Sequence, residues 1–247
     1  MLQYIKQKYG LAKLKKSFWK EFESLRRDGE KAYARFSLER KDIYPCLWDK
    51  TTSTQYDHHY LLHVAWAMRK VHEIDPAVHV DISSSLNFCA NLSAFIPVEF
   101  YDYRPADVKL SNLKSAHADL TKLHFESNSI NSISCMHTIE HIGLGRYGDP
   151  LDYDGDLKAI AELIRVTAEN GNILFVVPVG KPKIVFNAHR IYKFKQILSY
   201  FPDCALKEFS LITDDESGGE LIINATEAMA DEQNYGCGCF WFIKGKC

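Results

Sequence analysis

Carboxylates and histidines of this 247-residue chain recur directly after short apolar runs, at Asp81, Asp102, Asp119, His137, Glu140 and His141. An ionised carboxylate accepts hydrogen bonds and donates none, which suits it to sugar hydroxyls. Asp102 follows Asp81 by 21 residues, close to the spacing at which an acidic residue beyond a second strand meets a ribose in dinucleotide folds. Histidine titrates near neutral pH and burial pushes glutamate upward, so His137, Glu140, His141 and, further along, His189 are candidate proton acceptors. Arg146 and Tyr147 lie in a turn-rich stretch at 143–150 that suits a lid or a segment holding an anionic or sugar ligand, against the alternative of an ordinary connecting loop. Asn187, His189 and Arg190 return toward the same region. The Arg190 fork matches phosphate or carboxylate, with a surface ion pair as the plain alternative.

These residues need a scaffold. Short β-rich runs at 77–82, 98–103, 115–119, 129–139 and 171–178 predict successive strands, and helices are expected at 84–95, 156–167 and 194–201. Alternating β and α elements imply a mostly parallel, doubly wound sheet covered by helices on both faces. Runs at 206–211 and 240–244 lack an intervening helix, which predicts an antiparallel pair at the sheet edge and seven strands in all. The stretch 213–234 reads as the longest surface loop. In such sheets ligands bind beyond the carboxyl ends of the strands, where strand order reverses. Upstream, a helix over 57–73 carries Leu61, Leu62, Ala65 and Met68 on one side. Another over 11–25 places Leu11, Leu14, Phe18, Phe22 and Leu25 on one face, with lysines elsewhere. That face suits packing on the domain or on a second copy of the chain, in a homodimer, better than a membrane surface. The expected organisation is an N-terminal helical extension over 1–74 and an α/β domain over 75–247.

Composition narrows the partners. Net charge is −2, so nothing draws the whole chain to nucleic acid or an anionic membrane. Residues 1–40 hold eleven Lys or Arg against five Asp or Glu, a net +6, and the remainder carries −8. Seven scattered cysteines fit a reducing, cytoplasmic setting. The apolar run 173–179 is too short to cross a bilayer, and Lys6 and Lys8 interrupt the start too early for a signal peptide. No metal is expected. His59 and His63 stand four apart on a helix beside Asp57 and His58, yet the H-E-x-x-H form is absent, and Cys237-Gly-Cys239 near Cys247 lacks a second pair at metal-site spacing. Hydrolase elbow and P-loop motifs are absent as well.

The string HADLTKLHFESNSINSISCMHTIEHI, followed by AELIRVTAENGNILFVVP, resembles the methyltransferase type-11 pattern: Asp, Leu-Pro-Phe, an acidic turn, an apolar strand ending in Glu-His, then Arg-Val and Gly before the fifth strand. The resemblance covers residues 79–179. With HVDISSSL, FYDYRPAD, HIGLGRYGDPLD, NAHRIY and NYGCGCFWF, the whole chain is similar to a domain-of-unknown-function family of bacterial and nematode proteins described as methyltransferase-like. The resemblance implies a Rossmann-like class I methyltransferase fold with S-adenosyl-L-methionine as cofactor. It puts Asp81 and Ser83, Ser84 and Ser85 beside the cofactor's amino-acid end, Asp102 on its ribose with Tyr103 adjacent, Asp119 and Leu120 at its adenine, and His137 toward the sulfonium or acceptor.

Three departures from the pattern stand out: Asp-x-Gly-x-Gly is Asp81-Ile82-Ser83-Ser84-Ser85, Leu-Pro-Phe is Leu123-His124-Phe125, and Phe-Asp is Ile130-Asn131. The lost glycines matter, since a left-handed L-residue costs about 1–2 kcal/mol. The serines bind the ligand's carboxylate, or the loop takes another path, or they cap a helix. Methyl transfer also needs in-line approach and, for an oxygen or nitrogen acceptor, a base. His141 and His189 are the candidates, with Glu140-His141 as loop support the alternative. The sequence therefore reads as a methyltransferase acting on a small-molecule or sugar acceptor, in surface-polysaccharide synthesis as similar bacterial families suggest. The alternative is a non-catalytic methyltransferase-like binding or assembly module. A nicotinamide-dependent oxidoreductase is disfavoured because no G-x-G-x-x-G follows the first strand.

Overall fold

The computed structural model describes residues 2–31, 36–215 and 219–245, with side chains from residue 10 to 29 in the first helix. Two compact units divide between Tyr56 and Asp57. In the first, α1 (Leu2–Lys31) precedes a 3-10 turn at Arg40–Asp42. Leu11, Leu14, Phe18 and Phe22 are shielded positions of α1, as their spacing predicts, whereas Leu25 is exposed. Part of the basic surplus is paired inside this unit, Arg40 with Glu23 at 3.0 Å and Lys50 with Glu21 at 2.6 Å.

The second unit opens with α2 (His58–Ile74), whose N-terminus is capped by the Asp57 carboxylate accepting from the Tyr60 N–H at 3.0 Å. The unit boundary lies at 56/57 and not at the expected 74/75, because Trp66, Ala67 and Val71 of α2 are core residues of the α/β body. Of the expected inward face, Leu62 and Met68 pack against the core and Ala65 is half-buried, whereas Leu61 is exposed. The fully buried positions are His63, Trp66, Ala67 and Val71, so one histidine of the helix points into the interior.

There follow β1 (His79–Ile82), α3 (Leu86–Leu92), β2 (Val98–Asp102), β3 (Leu113–His117), β4 (Ile130–Met136), a 3-10 turn (Ile139–His141), α4 (Gly155–Val166), β5 (Thr167–Val179), β6 (Lys183–Val185), β7 (His189–Ile191), α5 (Phe194–Tyr200), β8 (Cys204–Ile212), β9 (Leu221–Ile223), α6 (Glu227–Glu232) and β10 (Gly236–Lys244). The main sheet has eight strands in the order β3-β2-β1-β4-β5-β10-β8-β9. Strands β1 to β5 pair in parallel, with Val80 opposite both Glu99 and Ile133. Along β5, Ile173, Phe175 and Val177 pack in the core containing Ile160 and Leu163 of α4 and Ile197 of α5, while Leu174 and Val176 pack in the core containing Trp66 of α2 and Phe88 of α3. This is the period-two burial of a sheet covered on both faces.

Two expectations change here. Strands β8 and β10 pair antiparallel toward one edge of the sheet, as expected, with β10 inserted between β5 and β8 so that β8 runs parallel to the first five strands; what changes is the strand count and the stretch beyond β8. The eighth strand, β9, comes from the stretch expected to be a long loop, which also contains α6. A separate two-stranded ribbon, β6 with β7, turns around Asn187 at φ 58°.

Candidate functional site

The sheet order reverses between β1 and β4, and the residues that follow the carboxyl ends of β1, β2, β3 and β4 meet around a cavity of about 460 Å³. Ser83 and Ser84, Asp102 and Tyr103, Asp119 and Leu120, and His137 all line it. Doubly wound sheets bind ligands at this reversal, and the volume suits one small molecule.

The loop after β1 is built around a buried carboxylate. Asp81 is fully buried and lies outside the cavity lining. One of its oxygens accepts from the Ser84 N–H at 3.0 Å and the other from the Ser134 hydroxyl. Burial raises its pKa to about 6. Ser134 in turn meets His79 Nε2 at 2.9 Å, and burial lowers His79 to about 3. The resemblance placed Asp81 beside a ligand; its contacts here are those of a loop anchor.

Ser83 occupies the first lost glycine position and keeps the glycine's conformation, at φ 58°. Its N–H donates to the Tyr101 carbonyl at 2.7 Å, and its own carbonyl accepts from the Thr138 hydroxyl at 2.7 Å. The Ser84 hydroxyl accepts from the Met136 N–H at 2.9 Å. Ser85 is the N-cap residue of α3, without a side-chain cap bond, and does not line the cavity. The loop has therefore followed the glycine-like path at the strain cost of a left-handed serine.

Asp102 and Asp119 are half-buried at the rim. Asp102 Oδ1 accepts from the Arg104 N–H at 2.7 Å, and its other oxygen has no partner among the described residues. Asp119 Oδ1 is held by the Thr121 N–H at 2.9 Å and hydroxyl at 2.7 Å, beside buried Leu120. Tyr103 is exposed, with its ring 5.6 Å from that of His117.

A second cavity, of about 530 Å³, adjoins the first across Tyr60, His137, His141 and Tyr147, which line both. His59, Glu140, Arg146, Asp214 and Tyr235 contribute further polar groups to it. His137 sits at φ 53°, with Nδ1 2.9 Å from Glu140 Oε1 and Nε2 3.2 Å from Cys237 Sγ. Burial lowers His137 to about 4 and raises Glu140 to about 7. His141 Nδ1 donates to the Ala188 carbonyl at 2.5 Å, which leaves Nε2 as the basic nitrogen, 3.8 Å from Glu140. His189 lies outside both cavities, its ring 4.8 Å from that of Tyr235.

The remaining expected ligand residues divide. Arg146 and Tyr147 line the second cavity, and the Tyr147 ring lies between two guanidinium groups, Arg104 at 4.7 Å and Arg146 at 5.1 Å. Arg190 is buried and donates to the carbonyls of Ile142, Asp152 and Tyr153 at 2.6, 3.3 and 3.0 Å, beside Asp156 at 3.5 Å. It fastens the hairpin to the loop at 142–153 rather than reaching either cavity. Asn187 is exposed at the hairpin turn, its amide 3.5 Å from the Leu144 carbonyl, and touches neither cavity. Gly143 explains the turn-rich loop: at φ 77° a Cβ would lie 2.1 Å from the Asp152 carbonyl oxygen.

Sequence reasoning did not select Tyr60, Thr138 or Tyr235, and it weighed His59 and Cys237 as metal ligands only in separate groupings and set them aside. His59 and Cys237 come together with His137, their ligand atoms all within 4.8 Å of one another. Residues this far apart in the chain leave no spacing motif to read.

A family profile described as Caenorhabditis protein of unknown function, DUF268, matches residues 87–201. No curated protein matches the sequence. Among solved structures, the YcgJ protein of Bacillus subtilis superposes with a TM-score of 0.54 at 12% identity, covering 76% of this chain and all of its own. A candidate sarcosine dimethylglycine methyltransferase from Galdieria sulphuraria gives 0.52 at 11% identity, covering 75% of this chain and 85% of that one. A candidate methyltransferase from Bacillus halodurans gives 0.50 at 12% identity over 72% and 99%. At these identities the likeness is one of fold, and the fold is that of class I methyltransferases.

Proposed function

We propose that the protein is an S-adenosyl-L-methionine-dependent methyltransferase acting on a small polar acceptor, a sugar hydroxyl being the class that fits best. The observation that carries this reading is the cavity at the strand reversal, bordered in order by the loop after β1, Asp102, Asp119 with Leu120, and His137. Asp102 would accept from the ribose hydroxyls through its free oxygen. Leu120 and Asp119 would border the adenine, and Ser83 and Ser84 the amino-acid end. The left-handed backbone at Ser83 supports that fit, because it keeps the turn that glycine normally gives this loop. The bound cofactor supplies an electrophilic methyl group.

The chain's own residues would orient the acceptor and take its proton. The second cavity is supported as the acceptor site by its shared wall with the first and by its lining of histidine, tyrosine, arginine and carboxylate. His141 is the better placed base, since it lines both cavities and its Nδ1–H is committed to Ala188. Glu140 beside it would balance the imidazolium charge. Arg146 and Tyr147 would position a hydroxylated or anionic acceptor. Surface-polysaccharide synthesis is one source of such sugars.

Calorimetry with S-adenosylmethionine, S-adenosylhomocysteine and NAD tests the reading. One site per chain for each sulfur nucleotide and none for NAD is expected. Absence of binding by both sulfur nucleotides would overturn it.

A further inference from the structure

Three nitrogen and sulfur donors from separate elements converge beside the second cavity: His59 from α2 and His137 from the end of β4, which line it, and the buried Cys237 of β10 behind them. Their ligand atoms lie within 4.8 Å of one another, and His137 Nε2 is already 3.2 Å from Cys237 Sγ. Tetrahedral zinc, with bonds of about 2.0–2.3 Å, needs ligand atoms about 3.3–3.6 Å apart, so small side-chain rotations close the set. We propose that His59, His137 and Cys237 bind a divalent metal ion of the zinc class, with the fourth position open to the second cavity.

Two further observations support a cation here. The Nδ1 of His137 is bound to the buried Glu140 carboxylate at 2.9 Å, the outer-shell arrangement that fixes a metal-ligating imidazole with Nε2 free. Glu140 Oε2 and His63 Nε2 are both buried and lack any hydrogen-bond partner. His63 is fully buried, its ring 5.0 Å from that of His137, and its Nδ1 donates to the His59 carbonyl at 2.5 Å, so the unpartnered nitrogen carries a lone pair. Buried polar atoms without partners are uncommon and costly. An anion and a lone pair left over beside three donors are the surroundings a cation satisfies.

The donor chemistry selects the ion. One thiolate with two imidazoles suits zinc over magnesium or calcium, which take oxygen ligands. On binding, the Cys237 thiol gives up its proton to solvent as the sulfur–metal bond forms. Three protein ligands and an open position are the pattern of a catalytic site. The role this implies, polarising an acceptor hydroxyl in the second cavity, rests on the methyltransferase reading; metal binding itself does not.

The test uses the full chain, stripped with a chelator and titrated with Co²⁺ and then Zn²⁺. Uptake of one cobalt per chain is expected, with visible d–d absorption of a tetrahedral site, a near-ultraviolet thiolate-to-cobalt band, and displacement by zinc. Cys237→Ser should abolish the thiolate band, and Cys46→Ser, at an exposed cysteine in the other unit, should leave it intact. If Cys237→Ser does not fold, His59→Gln at a half-buried helix position decides, with affinity expected to fall about tenfold or more. No stoichiometric uptake, a band that survives Cys237→Ser, or unchanged affinity in His59→Gln would overturn the proposal. Cobalt uptake without nucleotide binding would keep the metal site and sink the methyltransferase reading; the opposite pair of results would do the reverse.

Discussion

Replacing Asp102 with alanine tests the contact on which the proposed nucleotide binding would most depend. One oxygen of its carboxylate is held by the Arg104 N–H at 2.7 Å, and the other, at the cavity edge, is the one that would receive ribose hydroxyls. A hydrogen bond to a charged group contributes about 1.5–3 kcal/mol. Asp102 is half-buried, so water replaces part of what is lost and the lower half of that range applies. A loss of about 2 kcal/mol corresponds to roughly 30-fold weaker binding. Asp102→Asn keeps an uncharged acceptor and should lose about half as much, roughly fivefold. Isothermal titration of S-adenosylhomocysteine into the three proteins measures both. Thermal unfolding serves as the control, since the Arg104 N–H faces solvent once its acceptor is gone and little stability should be lost. If Asp102→Ala binds within about twofold of the parent while the parent binds well, the ribose lies elsewhere and the assignment of the cavity fails.

Three other outcomes are expected. Arg190→Met removes a buried cation that satisfies three carbonyls and Asp156; it should cost about 3–5 kcal/mol and lower Tm by about 10 °C, whereas a drop below about 3 °C would show that the hairpin does not depend on it. Because Ser83 sits at φ 58°, Ser83→Gly should be more stable than Ser83→Ala by about 1 kcal/mol in urea unfolding, the reverse of the usual order for these residues, and the usual order would refute the strain argument. Burial lowers His79 from 6.5 to about 3. Its neutral form is favoured in the fold, so its contribution is complete above the unfolded value and is lost as pH falls through the window from 6.5 toward 3. The stability gap between the parent and His79→Gln should therefore narrow by about 3 kcal/mol between pH 7 and 4.5, and a constant gap in urea melts at the two pH values would exclude this.

What the sequence carried and what it withheld follow from the range of the forces involved. Strand β5 announces itself because a buried parallel strand is a continuous apolar run, and Ile173 to Val177 need no partner to be recognised; β1, β2 and β4 carry polar residues among the apolar ones and are legible by their β-rich composition and spacing. The three-residue strands β6, β7 and β9 are too short for a period to register. The place of β10 depends on pairing with β5 and β8, which no local pattern encodes. Helix α2 shows the same limit at finer scale: Leu62 and Met68 meet the core as their spacing suggests, yet Leu61 is exposed while Trp66, Ala67, Val71 and His63 are buried, which the apolar pattern alone does not settle. At the site, Asp102 and Asp119 are legible because one ends a strand and the other follows a strand's end by two residues. Arg190 is not, since its carbonyl partners lie 37 to 48 residues away. Ser83 is the instructive case. The sequence displays a missing glycine, whereas the hydrogen bonds that hold its backbone left-handed, one donated to the Tyr101 carbonyl and one accepted from the Thr138 hydroxyl, are tertiary.

The insertion of β10 between β5 and β8 has a consequence for how the chain is made. During synthesis β5 emerges with one edge unsatisfied, and β8 has no place beside it until residues 236–244 arrive to bridge the two. Such long-range pairings form late and leave a sticky edge exposed meanwhile. The nascent protein is then an open sheet awaiting its keystone, and the pairing of residues 236–244, rather than the completion of the parallel half of the sheet, sets the moment at which Cys237 can meet His59 and His137.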